Sequence, residues 1–242
     1  MKINTAAQLA IAAALVVGSA AAAPVTFDLH SGSTEQIATG GSGLSNWRTF
    51  KDPLSDVTVT AYGFSLVGSS TSFSRGQVGR FSSGLGVCNS AEGVNCSDPE
   101  HTVDNQGSFD FILFLFSETV DPTRVGLAYT GDTDVTYWVG NVNPATIVAS
   151  LTGLNVASLN TVGFGSAINT NNWTNTTNVA GGNGNALLFG TRYATTDRND
   201  YFKIKTVSID TLPEPQTEIP EPSTYALMGT ALLALGFLKR RR

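Results

Sequence analysis

The densest chemical resource in the chain is a set of hard oxygen donors. Asp98, Glu100, Asp104 and Asn105 lie close together, and Asp132 and Asp134 follow in the same half of the sequence. Carboxylates and amides on loops are the ligands calcium takes, six to eight at a time. The same side chains also build turns by accepting hydrogen bonds from nearby backbone amides. Asp104-Asn105 ahead of an apolar run reads most simply as such a turn, with calcium as the alternative cofactor. The histidines are His30 and His101. His101 beside Asp104 is the one arrangement that resembles a general base, although a loop histidine bonded to a carboxylate is more often structural. No Gly-x-Ser-x-Gly elbow, His-Glu-x-x-His helix or phosphate-binding glycine loop is present. Carboxylates are numerous enough to imagine a glycosidase pair, but none is singled out by spacing, so a secreted hydrolase is an alternative without named residues.

Aromatic residues offer a second chemistry, stacking on sugars. Trp138 alternates with Tyr137 and Val139 in a strand-like run and is expected in the core. Trp173 sits in the polar stretch Asn171–Asn178 with nothing nearby in sequence to bury it, so it is the expected glycan platform, a reading in which calcium stabilises a carbohydrate-binding module. Cys88 and Cys96 are the only cysteines. In an exported protein they are expected to form a disulfide, closing a short loop and contributing about 2.5 kcal/mol in the chain-entropy picture.

The elements that must hold these groups read as strands. Thr58–Leu66, Val125–Tyr129 and Val135–Val139 alternate apolar and polar positions, the period of a half-buried strand. Phe109–Phe116 is almost wholly apolar and reads as a central strand buried on both faces. Asn185–Phe189 and Asp200–Ile209 are further strands, and Ala145–Leu151 and Thr161–Phe164 are weaker ones. Gly84-Leu-Gly-Val87 reads as a turn. Gly/Asn signals separate the runs. The expected body, residues 24–212, is an all-β antiparallel sandwich or jelly roll.

Composition supports that body. Gly, Ser, Thr and Asn supply 25, 22, 29 and 17 of 242 residues, whereas charged residues are only 14%. Coiled coils and helical bundles need a different composition. Between Pro24 and Pro220 there are 9 Lys/Arg against 18 Asp/Glu, so a nucleic-acid partner is not expected.

The two ends read as processing signals. Residues 1–23 carry Lys2, an apolar run and an Ala-rich exit, the layout of a signal peptide that engages the secretion machinery and is removed by signal peptidase. Residues 213–242 begin with a proline-rich tether. Pro220, Glu221, Pro222, Ser223 and Thr224 lead into an apolar stretch, Tyr225–Leu238, expected to be a short transmembrane helix in the inner membrane. Lys239, Arg240, Arg241 and Arg242 follow, and such cations prefer the cytoplasmic side. Proline removes an amide hydrogen and cannot join a ladder, so the tether stays extended.

This tripartite tail resembles the PEP-CTERM sorting signal. The resemblance implies a Gram-negative bacterium and an exosortase as partner, which removes the tail near Pro220-Glu221-Pro222 and passes the body to the cell surface or an exopolysaccharide matrix. Gly84-Leu-Gly-Val87, His101-Thr-Val-Asp-Asn105, the Phe-rich strand and Asp132-Thr-Asp134 are similar to a subgroup of exosortase-dependent surface proteins. That second resemblance implies a surface protein with no known reaction. The function expected from the sequence is therefore that of a non-catalytic exported protein.

Overall fold

A computed structural model describes residues 24–30, 36–37, 43–52, 55–92, 96, 101–174, 178–193, 196, 198–212 and 227–231. The described residues from Pro24 to Leu212 belong to one compact unit. The segment expected to be a signal peptide (1–23) and the tail residues Pro220, Glu221, Pro222, Ser223, Thr224, Lys239, Arg240, Arg241 and Arg242 lie outside the described residues. Of the apolar tail, residues 227–231 are described and are helical. No helix among the described residues is long and apolar enough to cross a membrane.

The body is antiparallel β structure. Its strands are β1 (Pro24–Asp28), β2 (Gln36–Ile37), β3 (Gly43–Ser45), β4 (Arg48–Lys51), β5 (Thr58–Val67), β6 (Ser74–Phe81) and β7 (Gly84–Cys88). They continue with β8 (Val103–Asp104), β9 (Ser108–Ala128), β10 (Val135–Gly140), β11 (Ile168–Thr170), β12 (Gly184–Thr191) and β13 (Tyr201–Thr211). The long β9 organises them. Its first half pairs with β5 on one side and β12 on the other, and its second half pairs with β13. From β13 the ladder passes through β7 and β6 back to β5. The strands thus close a circuit around an apolar interior. Where a sandwich keeps two separate sheets, here β9 runs through both layers and joins them by hydrogen bonds. The expected runs Phe109–Phe116 and Val125–Tyr129 are largely two halves of this single strand.

Alternation along β9 explains its composition. Ile112, Phe114 and Phe116 point into the interior with Phe27, Val59, Phe189 and Ile204. Phe109, Phe111, Leu113 and Leu115 point to the opposite face. A strand buried on both faces needs apolar residues at nearly every position, and Phe109–Phe116 departs from that only at Asp110. The outer face is covered by α1 (Ile147–Leu151) and a 3-10 helix, Val156–Val162, which bring Ile147, Leu151, Val156 and Leu159 onto Phe111 and Trp138. The weak strand expectations at Ala145–Leu151 and Thr161–Phe164 are corrected here: the first lies mostly in α1, and the second is split between the end of the 3-10 helix (Thr161, Val162), its Gly163 cap and an isolated bridge from Phe164 to Gly140. Their apolar residues recur at helical spacing, over too few turns to be distinctive in sequence.

The turn expected at Gly84–Val87 is also corrected, since the segment belongs to Gly84–Cys88. It is strand β7, fully buried, and not a turn. Its glycines admit other backbone. A Cβ on Gly86 would lie 1.7 Å from the His101 carbonyl oxygen, and one on Gly84 would lie 2.5 Å from that of Ile204. The His101–Asp104 segment is thereby laid directly across the sheet, with the Val87 amide donating to Thr102 O at 3.1 Å.

Candidate functional site

The oxygen donors gather at one end of the body, where β8, the start of β9, the start of β13 and the Thr130–Asp134 turn meet. They separate into two groups. In the first, Asp132, Asp134 and Asp200 bring carboxylate oxygens within 4.8 Å of one another. Asp200 is fully buried. Its Oδ2 accepts from Asn105 Nδ2 at 2.6 Å, and its Oδ1 accepts from the Asp134 amide at 3.1 Å. Asn105 Oδ1 in turn accepts from the Asp200 amide at 3.0 Å. Asp134 Oδ1 accepts from the Asn172 amide, and Asp132 accepts from the Thr133 amide and Asn199 Nδ2. This group ties three loops together through backbone amides, which is the turn-building role available to Asp and Asn. Asn105, Asp132 and Asp134 belong here; Asp98 and Glu100 lie outside the described residues.

The second group is Glu92, Asp104 and Asp110, again with oxygens mutually within 4.8 Å. Asp104 Oδ2 accepts from Thr102 Oγ1 and its Oδ1 accepts from the Gln106 amide, each at 3.0 Å. Asn89 Nδ2 bridges Glu92 Oε1 at 2.7 Å and Asp110 Oδ1 at 3.1 Å. Asp110 is fully buried and its Oδ2 has no hydrogen-bond partner. Burial holds the Asp110 carboxyl well above the ordinary carboxylate range. The charges of Asp104 and then Glu92 push the same way, while Ser65 and Asn89 oppose them. Ser65 Oγ stands near enough to favour the charged form but makes no hydrogen bond of ordinary geometry. Glu92 and Asp104 also line a cavity of about 720 Å³ with Thr102, Ser108, Tyr129 and Tyr201.

Glu92, Asp110 and Asp200 escaped the sequence reading. Asp110 alone carried a signal: a single carboxylate inside an otherwise apolar strand must be buried. The loop bearing Glu92 is closed by the Cys88–Cys96 disulfide, with Cα atoms 5.7 Å apart, as expected from the two cysteines. His101 packs its ring on Phe81, with centroids 4.3 Å apart.

Trp173 is not a surface platform, and this corrects the sequence expectation. It is 3% exposed. Its Nε1 donates to Val125 O at 2.7 Å, and its ring meets Tyr137 and Phe189 edge-on. A polar loop distant in sequence from its partners carries the indole into the interior. Trp138 is buried, as expected.

Comparison with known protein families matches one segment, residues 218–242, to the PEP-CTERM protein-sorting motif. The tail is a PEP-CTERM sorting motif. The match spans the Pro-Glu-Pro residues, the apolar stretch and the terminal cations, which is the tripartite pattern that the tail resembles. A PEP-CTERM motif implies exosortase as the processing partner and an exported, membrane-anchored precursor of a Gram-negative bacterium. No curated protein and no solved structure matches the chain.

Proposed function

We propose that this chain is a non-catalytic protein of the bacterial surface or exopolysaccharide matrix. In this reading a signal peptide at residues 1–23 directs export through the secretion machinery. The apolar stretch Tyr225–Leu238 holds the precursor in the inner membrane, and exosortase releases a jelly-roll-like body. The PEP-CTERM match at residues 218–242 carries the reading. The disulfide agrees with it, because disulfides persist in oxidising compartments. Replacing Pro220 and Pro222 with Ala should leave full-length precursor in the membrane fraction; release at the normal rate would contradict exosortase recognition of this segment.

A second reading is favoured by Asp110. A fully buried carboxylate with a bare oxygen, grouped with Glu92 and Asp104, is the donor set that a calcium ion would complete. Calcium would neutralise charges that otherwise repel and would pin the disulfide loop to β8 and β9. This reading moves the calcium expectation from Asp98, Glu100, Asn105, Asp132 and Asp134 onto Asp104 and its two neighbours. Melting with calcium and with chelator tests it; an unchanged midpoint would exclude it.

A further inference from the structure

Trp47 differs from Trp138 and Trp173. It is 44% exposed, whereas they are buried. It lines a shallow cavity of about 540 Å³ together with Asn46, Tyr62, Arg75, Ala145 and Val148. Arg75 rises from β6 to form one wall. Its Nη2 donates to Asn46 O at 2.8 Å, next to Trp47. Its guanidinium carbon lies 5.1 Å from the Tyr62 ring centre and 5.0 Å from that of Phe64.

The guanidinium is positioned but under-used. Nη1 is buried without a hydrogen-bond partner, and Arg75 forms no ion pair with any described carboxylate. Burial already disfavours its charged form. Guanidinium has five donors in a planar fork that suits a carboxylate. Stacking on two rings holds that fork in place before any ligand arrives, so little side-chain entropy remains to be lost on binding. Its one bond to Asn46 O braces the segment carrying the indole. An exposed indole beside an oriented cation offers an apolar face and a charge to the same small molecule.

We propose that Trp47, Tyr62 and Arg75 form a binding site for a carboxylated pyranose, a uronic-acid residue of an extracellular polysaccharide. The apolar face of the sugar ring would lie on the Trp47 indole, with the carboxylate toward Arg75. The cavity is in the size range that holds a small ligand. A bare phosphate would satisfy the guanidinium but leave the indole unused. The acidic body also opposes indiscriminate capture of polyanions, since 18 Asp/Glu face 9 Lys/Arg between Pro24 and Pro220. Recognition must therefore come from local contacts. The site belongs to the matrix-protein reading, because an acidic polysaccharide is encountered outside the cell.

The test is calorimetric titration of the full-length protein, in detergent, with trigalacturonic acid and with its carboxyl-reduced neutral trisaccharide. The acid should bind at least tenfold more tightly than the neutral sugar. Arg75→Gln should remove that preference, and Trp47→Ala, at an exposed position, should weaken binding of both sugars at least fivefold. Equal affinity for acid and neutral sugars would overturn the site. So would acid binding unchanged in Trp47→Ala, or binding of inorganic phosphate as tight as that of the acid. If Arg75→Gln does not fold, Trp47→Ala and the acid-to-neutral ratio of the unsubstituted protein decide. C-terminal processing is scored separately in cells, so loss of sugar binding with normal tail removal rejects this site and leaves the sorting reading intact.

Discussion

Replacing Asp110 with Asn isolates the one fully buried carboxylate among the described residues that retains a bare oxygen. Asn keeps the shape and the acceptor used by Asn89, but it removes the charge and presents an amide toward Asp104 and Glu92. Two unit charges no more than 4.8 Å apart repel by at least roughly 3.5 kcal/mol at an effective dielectric constant of about 20. An ionised Asp110 beside either neighbour is therefore costly on the scale of ordinary point mutations. Relieving one unsatisfied buried polar atom is worth about 1–3 kcal/mol. Asp110→Asn should thus stabilise the protein by about that amount at pH 8 in chelator, or roughly 2–12 °C in melting temperature for a body of this size. The pH dependence has a definite sign. The native carboxyl titrates above its unfolded value, so the native state binds more protons in between. Wild-type stability should fall as pH rises from the unfolded carboxylate pKa through the raised native one. The variant should lack that loss. Calcium at 100 times its dissociation constant should return about 2.7 kcal/mol to the wild type and much less to the variant. Chemical denaturation at pH 5 and pH 8, with calcium and with chelator, measures all of these. An Asp110→Asn protein less stable than wild type at pH 8 in chelator, or one with the same pH dependence, would refute the reasoning.

Other consequences follow from buried groups. Trp173→Ala should cost about 3–5 kcal/mol in denaturant unfolding, the range for deleting a buried aromatic, and should not selectively abolish polysaccharide binding. Serine at both Cys88 and Cys96 should lose about 2.5 kcal/mol, seen as a melt lowered by roughly 5–10 °C and as wild-type behaviour once the wild type is reduced. Gly86→Ala should be more damaging than its size implies. Its methyl would meet the His101 carbonyl at 1.7 Å, so the His101–Asp104 segment must lift from β7, at a cost of about 3 kcal/mol or more. Hydrogen exchange should then show lost protection at the Val87 amide.

The sequence exposed what is local and left hidden what depends on distant partners. Phe109–Phe116 announced a strand buried on both faces because every position in it but Asp110 is apolar. Two cysteines with a short spacing announced their pairing, and the tail announced its motif. Gly84–Cys88 was opaque because glycine is shared by turns and by strands that another backbone crosses closely; His101 and Ile204 supply that backbone from elsewhere in the chain. Trp173 was opaque for a related reason. Its neighbours are polar, and its burial depends on Val125, Tyr137 and Phe189. The carboxylate group formed because Glu92 sits on the disulfide loop and Asp110 on β9, and neither position signals the other. Asp132 and Asp134 were recognisable as turn residues, but Asp200, to which Asp134 is tied, lies 66 residues away.

In the proposed function, exosortase removes the tail. Intact-mass measurement of the protein recovered from the outside of cells, with and without a functional exosortase, tests it most directly. A mature C-terminus near Pro220-Glu221-Pro222 is expected in exosortase-containing cells, and membrane-held protein retaining Arg242 when exosortase is absent. Surface protein that still ends at Arg242, or identical processing without exosortase, would contradict it.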